Sequence, residues 1–98
     1  MTEPSDLTAI IVTYNSAAVV SLCLEALNQQ GVTSIVVDNH SLDNSVALAQ
    51  GSGAKTIELQ SNIGFGCANN EGVSQASTPW LLFINPDACV TSGAIESL

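Results

Sequence analysis

Basic residues are almost missing from this 98-residue chain: one lysine, Lys55, stands against nine acidic residues, for a formal net charge of −8. So little positive charge cannot neutralise a run of phosphates, which excludes nucleic-acid binding and attachment to an anionic membrane surface. A small anionic ligand stays open, provided that backbone N–H groups or a metal ion supply the positive field. Long apolar runs are missing too. The longest, Trp80-Leu81-Leu82-Phe83-Ile84, falls far short of the roughly 20 residues that a membrane span needs. The polar start Met1–Asp6 lacks the basic residues of a signal peptide, so a cytoplasmic location is the expectation. His40 is the only histidine, with no cysteine at ligand spacing, so a histidine-based metal site or catalytic triad has little to build on. The cysteines, Cys23, Cys67 and Cys89, are odd in number and widely separated. That pattern argues against a disulfide framework or zinc knuckle and predicts buried free thiols.

What is present is apolar: 46% of residues are hydrophobic and only 10% charged, the balance of a packed globule rather than a disordered chain. The length suits one small domain, residues 1–98. Four apolar runs punctuate it: Ala9-Ile10-Ile11-Val12, Ile35-Val36-Val37, Thr56-Ile57-Glu58-Leu59 and Trp80 to Ile84. Between the first two, Val20, Cys23, Leu24 and Leu27 recur at helical spacing, and Gly31 can end that helix. Leu42, Val46 and Ala49 follow a candidate cap at Ser41 and predict a second helix ending near Gly51. A third, from about Gly66 to Ala76, has Cys67, Val73 and Ala76 as its apolar members, and Pro79 forbids its continuation.

The pattern βαβαβαβ predicts an α/β fold, a three-layer open parallel sheet in which helical crossovers join parallel strands. Strands covered on both faces read as continuous apolar runs; the third run alternates and is therefore an edge, which gives the strand order 3-2-1-4. The fourth run, the most apolar, then lies at the other edge with only Asn85–Leu98 after it. An apolar edge is a template for association, so the chain reads as the front part of a larger domain or as half of a homodimer paired along that strand.

Ligands of open parallel sheets bind beyond the carboxyl ends of the strands, where the winding reverses. Polar residues follow the strands there: Thr13-Tyr14-Asn15, Asp38-Asn39, Ser61-Asn62-Ile63-Gly64 and Asn85-Pro86-Asp87. Several have two readings. Asn15 either caps the first helix or faces a ligand. Asp38 either caps the turn before Ser41 or holds the hydroxyls of a ribose or the imide of a pyrimidine. Tyr14 either covers the core or stacks on a base. Asn62, Gly64 and Gly66 serve a tight turn or line the rim. Pro86 turns the chain off the fourth strand and presents Asp87, which either belongs to a plain turn or supplies one carboxylate to Mg2+ or Mn2+ once a diphosphate is present. The stretch Gly64-Phe65-Gly66-Cys67-Ala68-Asn69 imitates a dinucleotide fingerprint, but Asn69 replaces its third glycine and it follows the edge strand, which speaks against hydride transfer.

Together, Ile10 to Ser16, Val36-Val37-Asp38-Asn39 with Ser41 and Asp43, Asn62 to Gly66 with Ala68-Asn69-Asn70, and Leu82 to Asp87 resemble the nucleotide-sugar-binding N-terminal half of a family 2 glycosyltransferase with the Rossmann-like GT-A fold. The rhamnosyltransferase-like branch is the most similar, and the resemblance covers about residues 8–90. It implies transfer of a sugar from a nucleoside diphosphate donor, with dTDP-rhamnose a candidate, to the hydroxyl of an acceptor glycan or lipid-linked glycan, with inversion. It also implies that Thr13, Tyr14 and Asn15 border the base, that Asp38 holds base or ribose, and that Asn62, Gly64 and Asn69 line the nucleotide pocket. Asn85-Pro86-Asp87 stands where the family has an Asp-x-Asp metal motif, leaving Asp87 as the sole carboxylate for Mg2+ or Mn2+. The family's catalytic base comes from the second half of its domain; Glu96, the only carboxylate after Asp87, is not assigned that part, so the chain alone is expected to be inactive. The competing expectation is a non-catalytic nucleotide-binding or self-assembly module.

Overall fold

A computed structural model describes residues 3–91 and 93–95; Glu96 lies outside the described residues. A short 3₁₀ turn, Pro4–Asp6, leads into β1 (Leu7–Thr13), α1 (Val20–Gln29), β2 (Thr33–Asp38), α2 (Ser45–Gly51), β3 (Lys55–Glu58), α3 (Phe65–Val73) and β4 (Trp80–Phe83). The strands form one sheet in the order β3-β2-β1-β4, every neighbouring pair parallel, as the continuity of the apolar runs predicts.

β1 is buried along its whole length, because α1 and α2 cover one face of the sheet and α3 the other. Its alternate side chains divide accordingly. Ala9 and Ile11 join Val20, Cys23, Leu24 and Leu27 of α1, Val36 of β2 and Ala49 of α2, whereas Ile10 and Val12 join Ile35, Val37 and Ala68 on the opposite face. The α1 stripe is the one its spacing predicts, and Gly31, at φ +74°, takes the left-handed conformation that ends the helix cheaply.

Three expectations need correction. α2 begins at Ser45 rather than after Ser41, because both the Ser41 hydroxyl and its N–H are drawn toward Asp38. α3 ends at Val73, and its buried residues are Ala68 and Gly72 rather than Cys67 and Val73; Ala76 packs on the same face only after the helix has ended. Finally, only Cys23 is a buried thiol. Cys67 and Cys89 are free but exposed, Cys67 because it stands one position, about 100° of helix, away from the inward-facing Ala68. β4 borders β1 alone, and Trp80 and Phe83 on it are 62% and 51% exposed. Among the described residues no helix is long and apolar enough to cross a membrane.

Gly72 sets the distance between α3 and the sheet. A Cβ there would stand 2.6 Å from Ile10 Cγ2 and 3.1 Å from Val37 Cγ2, both in fully buried strand residues. Overpacking of about 1–3 kcal/mol outweighs the helix-propensity gain of alanine over glycine, about 1 kcal/mol. Gly72→Ala is therefore expected to lower the urea unfolding midpoint, with a net loss of up to about 2 kcal/mol. An unchanged or raised midpoint would mean that α3 does not rest on Ile10.

Candidate functional site

The winding reverses between β1 and β4, and the site is built where their carboxyl ends and that of β2 come together. Thr13 and Asp38 are register partners at the last positions of β1 and β2. Because their side chains therefore share one face, the Thr13 hydroxyl donates to Asp38 Oδ1 at 2.7 Å, within the buried sheet. The same oxygen accepts from the Ser41 hydroxyl at 2.6 Å, and Oδ2 accepts from the Ser41 N–H at 2.8 Å. Asp38 is thus the cap of the turn after β2. Three donors satisfy a carboxylate only 2% exposed, two of them on Oδ1 and one on Oδ2, so Oδ2 keeps capacity to accept one more.

From Asp38 the network crosses to the loop after β1. Ser41 Oγ accepts from the Asn15 N–H at 2.8 Å, and Asn15 Oδ1 accepts from the Leu42 N–H at 2.8 Å. Asn15 therefore does not cap α1, whose N-cap is Val19 and makes no side-chain bond; it is held at φ +51° against the β2–α2 loop. Next in line, the Ser16 N–H donates to Ser45 Oγ at 2.8 Å, and the Ser45 hydroxyl donates to Asp43 Oδ1 at 2.5 Å. Asp43 Oδ2 accepts directly from the Ala17 N–H at 3.0 Å. The Ser45 hydroxyl is the main reason that the Asp43 carboxyl titrates below the ordinary aspartate range; desolvation opposes it, and the N–H groups of Ala17 and Ser45 add to it. Tyr14, its N–H bonded to Ser16 Oγ, is 51% exposed as a residue and belongs to neither core cluster.

The loop before α3 is tied to the same rim through Asn39. Its N–H donates to Thr13 O at 2.8 Å, and its Oδ1 accepts from the Ile63 N–H at 2.9 Å. Asn62 Oδ1 accepts from the Gly64 N–H at 2.9 Å, closing the turn, and Gly64 at φ +86° is the N-cap of α3, within which Asn69 is half-buried. Asn85 and Asp87 follow β4 on the far side of β1. Their contacts run to α1: the Asn85 carbonyl faces Cys23 Sγ at 3.9 Å, and the exposed Asp87 is near enough for its charge to act on that thiol. Thr13, Tyr14, Asn15 and Asp38 thus form one bonded group. Asn62 and Gly64 join it through Asn39, and the Asn85–Asp87 turn stands apart from the bonding. Sequence reasoning passed over Ser45 and left Asn39 without a task. The signal for Ser45 was the Asp43-x-Ser45 spacing, which lets a carboxylate close a turn onto the N–H two residues ahead.

Residues 8–98 match the sequence pattern described as Glycosyl transferase family 2. This chain belongs to that family. It is 35% identical over 91 residues to the succinoglycan biosynthesis protein ExoO of Rhizobium meliloti (strain 1021), a match that takes in 87% of the chain and 26% of ExoO. The crystal structure of S. aureus TarS 1-349 superimposes with a TM-score of 0.85 at 23% identity, over 93% of the chain and 30% of TarS; TarS is also solved in complex with UDP. Glucosyl-3-phosphoglycerate synthase from Mycobacterium tuberculosis, solved with Mn2+, UDP and glucosyl-3-phosphoglycerate, gives a TM-score of 0.74 at 20% identity, over 82% of the chain and 33% of the synthase. The chain therefore spans about a quarter to a third of the length of these glycosyltransferase relatives, and its own sheet has the GT-A arrangement. Among the described residues no three His, Cys, Asp or Glu side chains assemble into a group that could hold a metal ion.

Burial, and then the charges of Cys89 and Asp87, push the Cys23 thiol up to about 11, so it is both hidden and protonated at neutral pH. Iodoacetamide under native, mildly alkaline conditions is expected to label Cys67 and Cys89 and to spare Cys23 until urea unfolds the chain, as read by peptide mass spectrometry. Labelling of Cys23 at the rate of the other two would contradict its packing between the sheet and the Asn85 turn.

Proposed function

We propose that the rim at the ends of β1, β2 and β4 seats the nucleoside diphosphate of a sugar donor, and that the chain is the donor-binding part of an inverting glycosyltransferase. The observation that supports this most strongly is the bonded Thr13–Asp38 pair at the reversal of winding in a family 2 chain, with Tyr14 standing free beside it. Tyr14 and Asn15 border a pyrimidine base, and the remaining lone pair of Asp38 accepts from the base imide or a ribose hydroxyl. Asn62, Gly64 and Asn69 line the pocket on the α3 side. The rhamnosyltransferase-like motifs favour a dTDP-sugar such as dTDP-rhamnose, and the UDP complexes of the structural neighbours favour UDP-sugars as the second donor class.

In the reaction so proposed, an acceptor hydroxyl of a glycan or lipid-linked glycan gives its proton to a base from the second half of the family's domain and bonds to the anomeric carbon, while the bond from that carbon to the diphosphate breaks and the nucleoside diphosphate leaves with the bonding pair. Asp87, with Asn85 beside it, would supply one protein oxygen for Mg2+ or Mn2+, with the diphosphate and water as the other ligands, which fits the lack of a three-residue His, Cys, Asp or Glu group among the described residues. When bound, the metal would stabilise negative charge on the leaving diphosphate. Among the described residues no rim carboxylate is left to act as the base: Asp38 and Asp43 are held by the stitching and Asp87 would hold the metal. The chain by itself binds donor without transferring it.

A second reading, a self-assembly module pairing two copies along β4, is favoured by the exposed Trp80 and Phe83 on that edge. One calorimetric titration with UDP and dTDP, with and without Mn2+, separates the two. Donor binding predicts heat only when nucleotide and metal are both present, and loss of the metal-dependent part in Asp87→Ala. No heat under any condition, from a chain that sediments as a dimer, would transfer the assignment to self-assembly.

A further inference from the structure

Three successive backbone amides of the β1–α1 loop are taken by side chains of the neighbouring loop: Asn15 by Ser41, Ser16 by Ser45 and Ala17 by Asp43. Behind each serine stands a carboxylate, Asp38 behind Ser41 and Asp43 behind Ser45. Asp38 is buried and shares in the core of the sheet. Asp43 is exposed, yet it governs two of the three amides, Ala17 directly and Ser16 through the hydroxyl of Ser45. We propose that Asp43 is a positioning residue for the nucleotide, holding the β1–α1 loop so that Tyr14 and Asn15 stand ready on the rim. The inference rests on the donor-binding reading above.

The physical case has two parts. Tyr14 is half exposed and Asn15, at a positive φ that asparagine tolerates, is fixed by its bonds to Ser41 and Leu42, so their places follow the loop backbone that carries them rather than core packing. Without Asp43 the Ala17 N–H loses its acceptor. The Ser45 hydroxyl loses its acceptor as well, and is free to turn away from Ser16. The loop then has to be ordered by the nucleotide itself, which weakens binding by the cost of that ordering. The second part is a matter of sign. In a chain of net charge −8, a carboxylate beside the site of an anionic nucleotide opposes binding by its charge alone. Removing that charge would tighten binding if Asp43 did nothing else.

The test is calorimetric titration of the full chain with UDP and Mn2+, at a temperature well below unfolding, together with the amide resonances of residues 15–17 by 15N NMR without metal. Asp43→Asn keeps a single acceptor and removes the charge. It is expected to weaken UDP binding by about tenfold, with the Ser16 and Ala17 amides shifted and the Asn15 amide in place. Unchanged or tighter binding by the variant overturns the positioning assignment, whatever happens to its unfolding midpoint. If the unaltered chain binds no nucleotide, the donor reading falls and this inference with it. Should Asp43→Asn not fold, Ser45→Ala, which keeps the Asp43–Ala17 bond, is expected to weaken binding by about threefold; full affinity in that variant overturns the proposal.

Discussion

The rim depends on one constraint: backbone amides of the loop after β1 find their acceptors not in their own helix but in the side chains of the loop after β2. α1 starts at Val20 without a side-chain cap, and the local bonds between Thr13 and Val20, from the Tyr14 N–H to Ser16 Oγ and from the Val19 and Val20 N–H groups to the Ser16 carbonyl, leave the amides of residues 15–17 without a local acceptor. The stitching through Ser41, Ser45 and Asp43 supplies those acceptors from the neighbouring loop. It works because β1 and β2 are adjacent, parallel and in a register that sets Thr13 against Asp38. A slip of one residue would send Asp38 to the opposite face and undo every bond in the group.

Charge gives the same rim its second character. Lys55, the chain's only basic side chain, opens β3 level with Ile35 and Ile10, three residues back from the rim, and its ammonium donates to Gln75 Oε1 at 2.9 Å. An anionic ligand at the carboxyl ends of the strands gains little from it. The amides of residues 15–17 are spent on the stitching, which leaves the start of α3, where no side chain caps the first turn, as a source of positive potential, to which the metal proposed at Asp87 would add. This is the electrostatic reason to expect that nucleotide affinity and metal are coupled in this family 2 chain.

Much of the fold was legible in the order of residues because it depends on burial. Continuous apolar runs marked β1 and β2 as central, the alternation of Thr56 to Leu59 marked β3 as an edge, and Val20, Cys23, Leu24 and Leu27 marked the inner face of α1. Where the deciding force was a specific partner, the sequence was ambiguous. Ser41 looked like a helix cap, and only the nearness of Asp38 and Asn15 shows that it serves the turn and the neighbouring loop. Hydrophobicity likewise singled out Cys67 and Val73 in α3, whereas what faces the sheet is Gly72, chosen for lacking a side chain against Ile10. Thr13, Asp38 and Asn15 were recognisable as polar tips, but the division of labour among Asp38, Asp43, Ser41 and Ser45 is a property of two loops together.

The most direct measurement is a two-dimensional 15N NMR titration of the chain with UDP and Mg2+, mapping which amides move. The account predicts shifts confined to the ends of β1, β2 and β4 and the start of α3, around residues 13–17, 38–42, 62–69 and 85–88. Shifts centred on the opposite end, near Gly31 and Thr33, or along the open edge of β4, would contradict it.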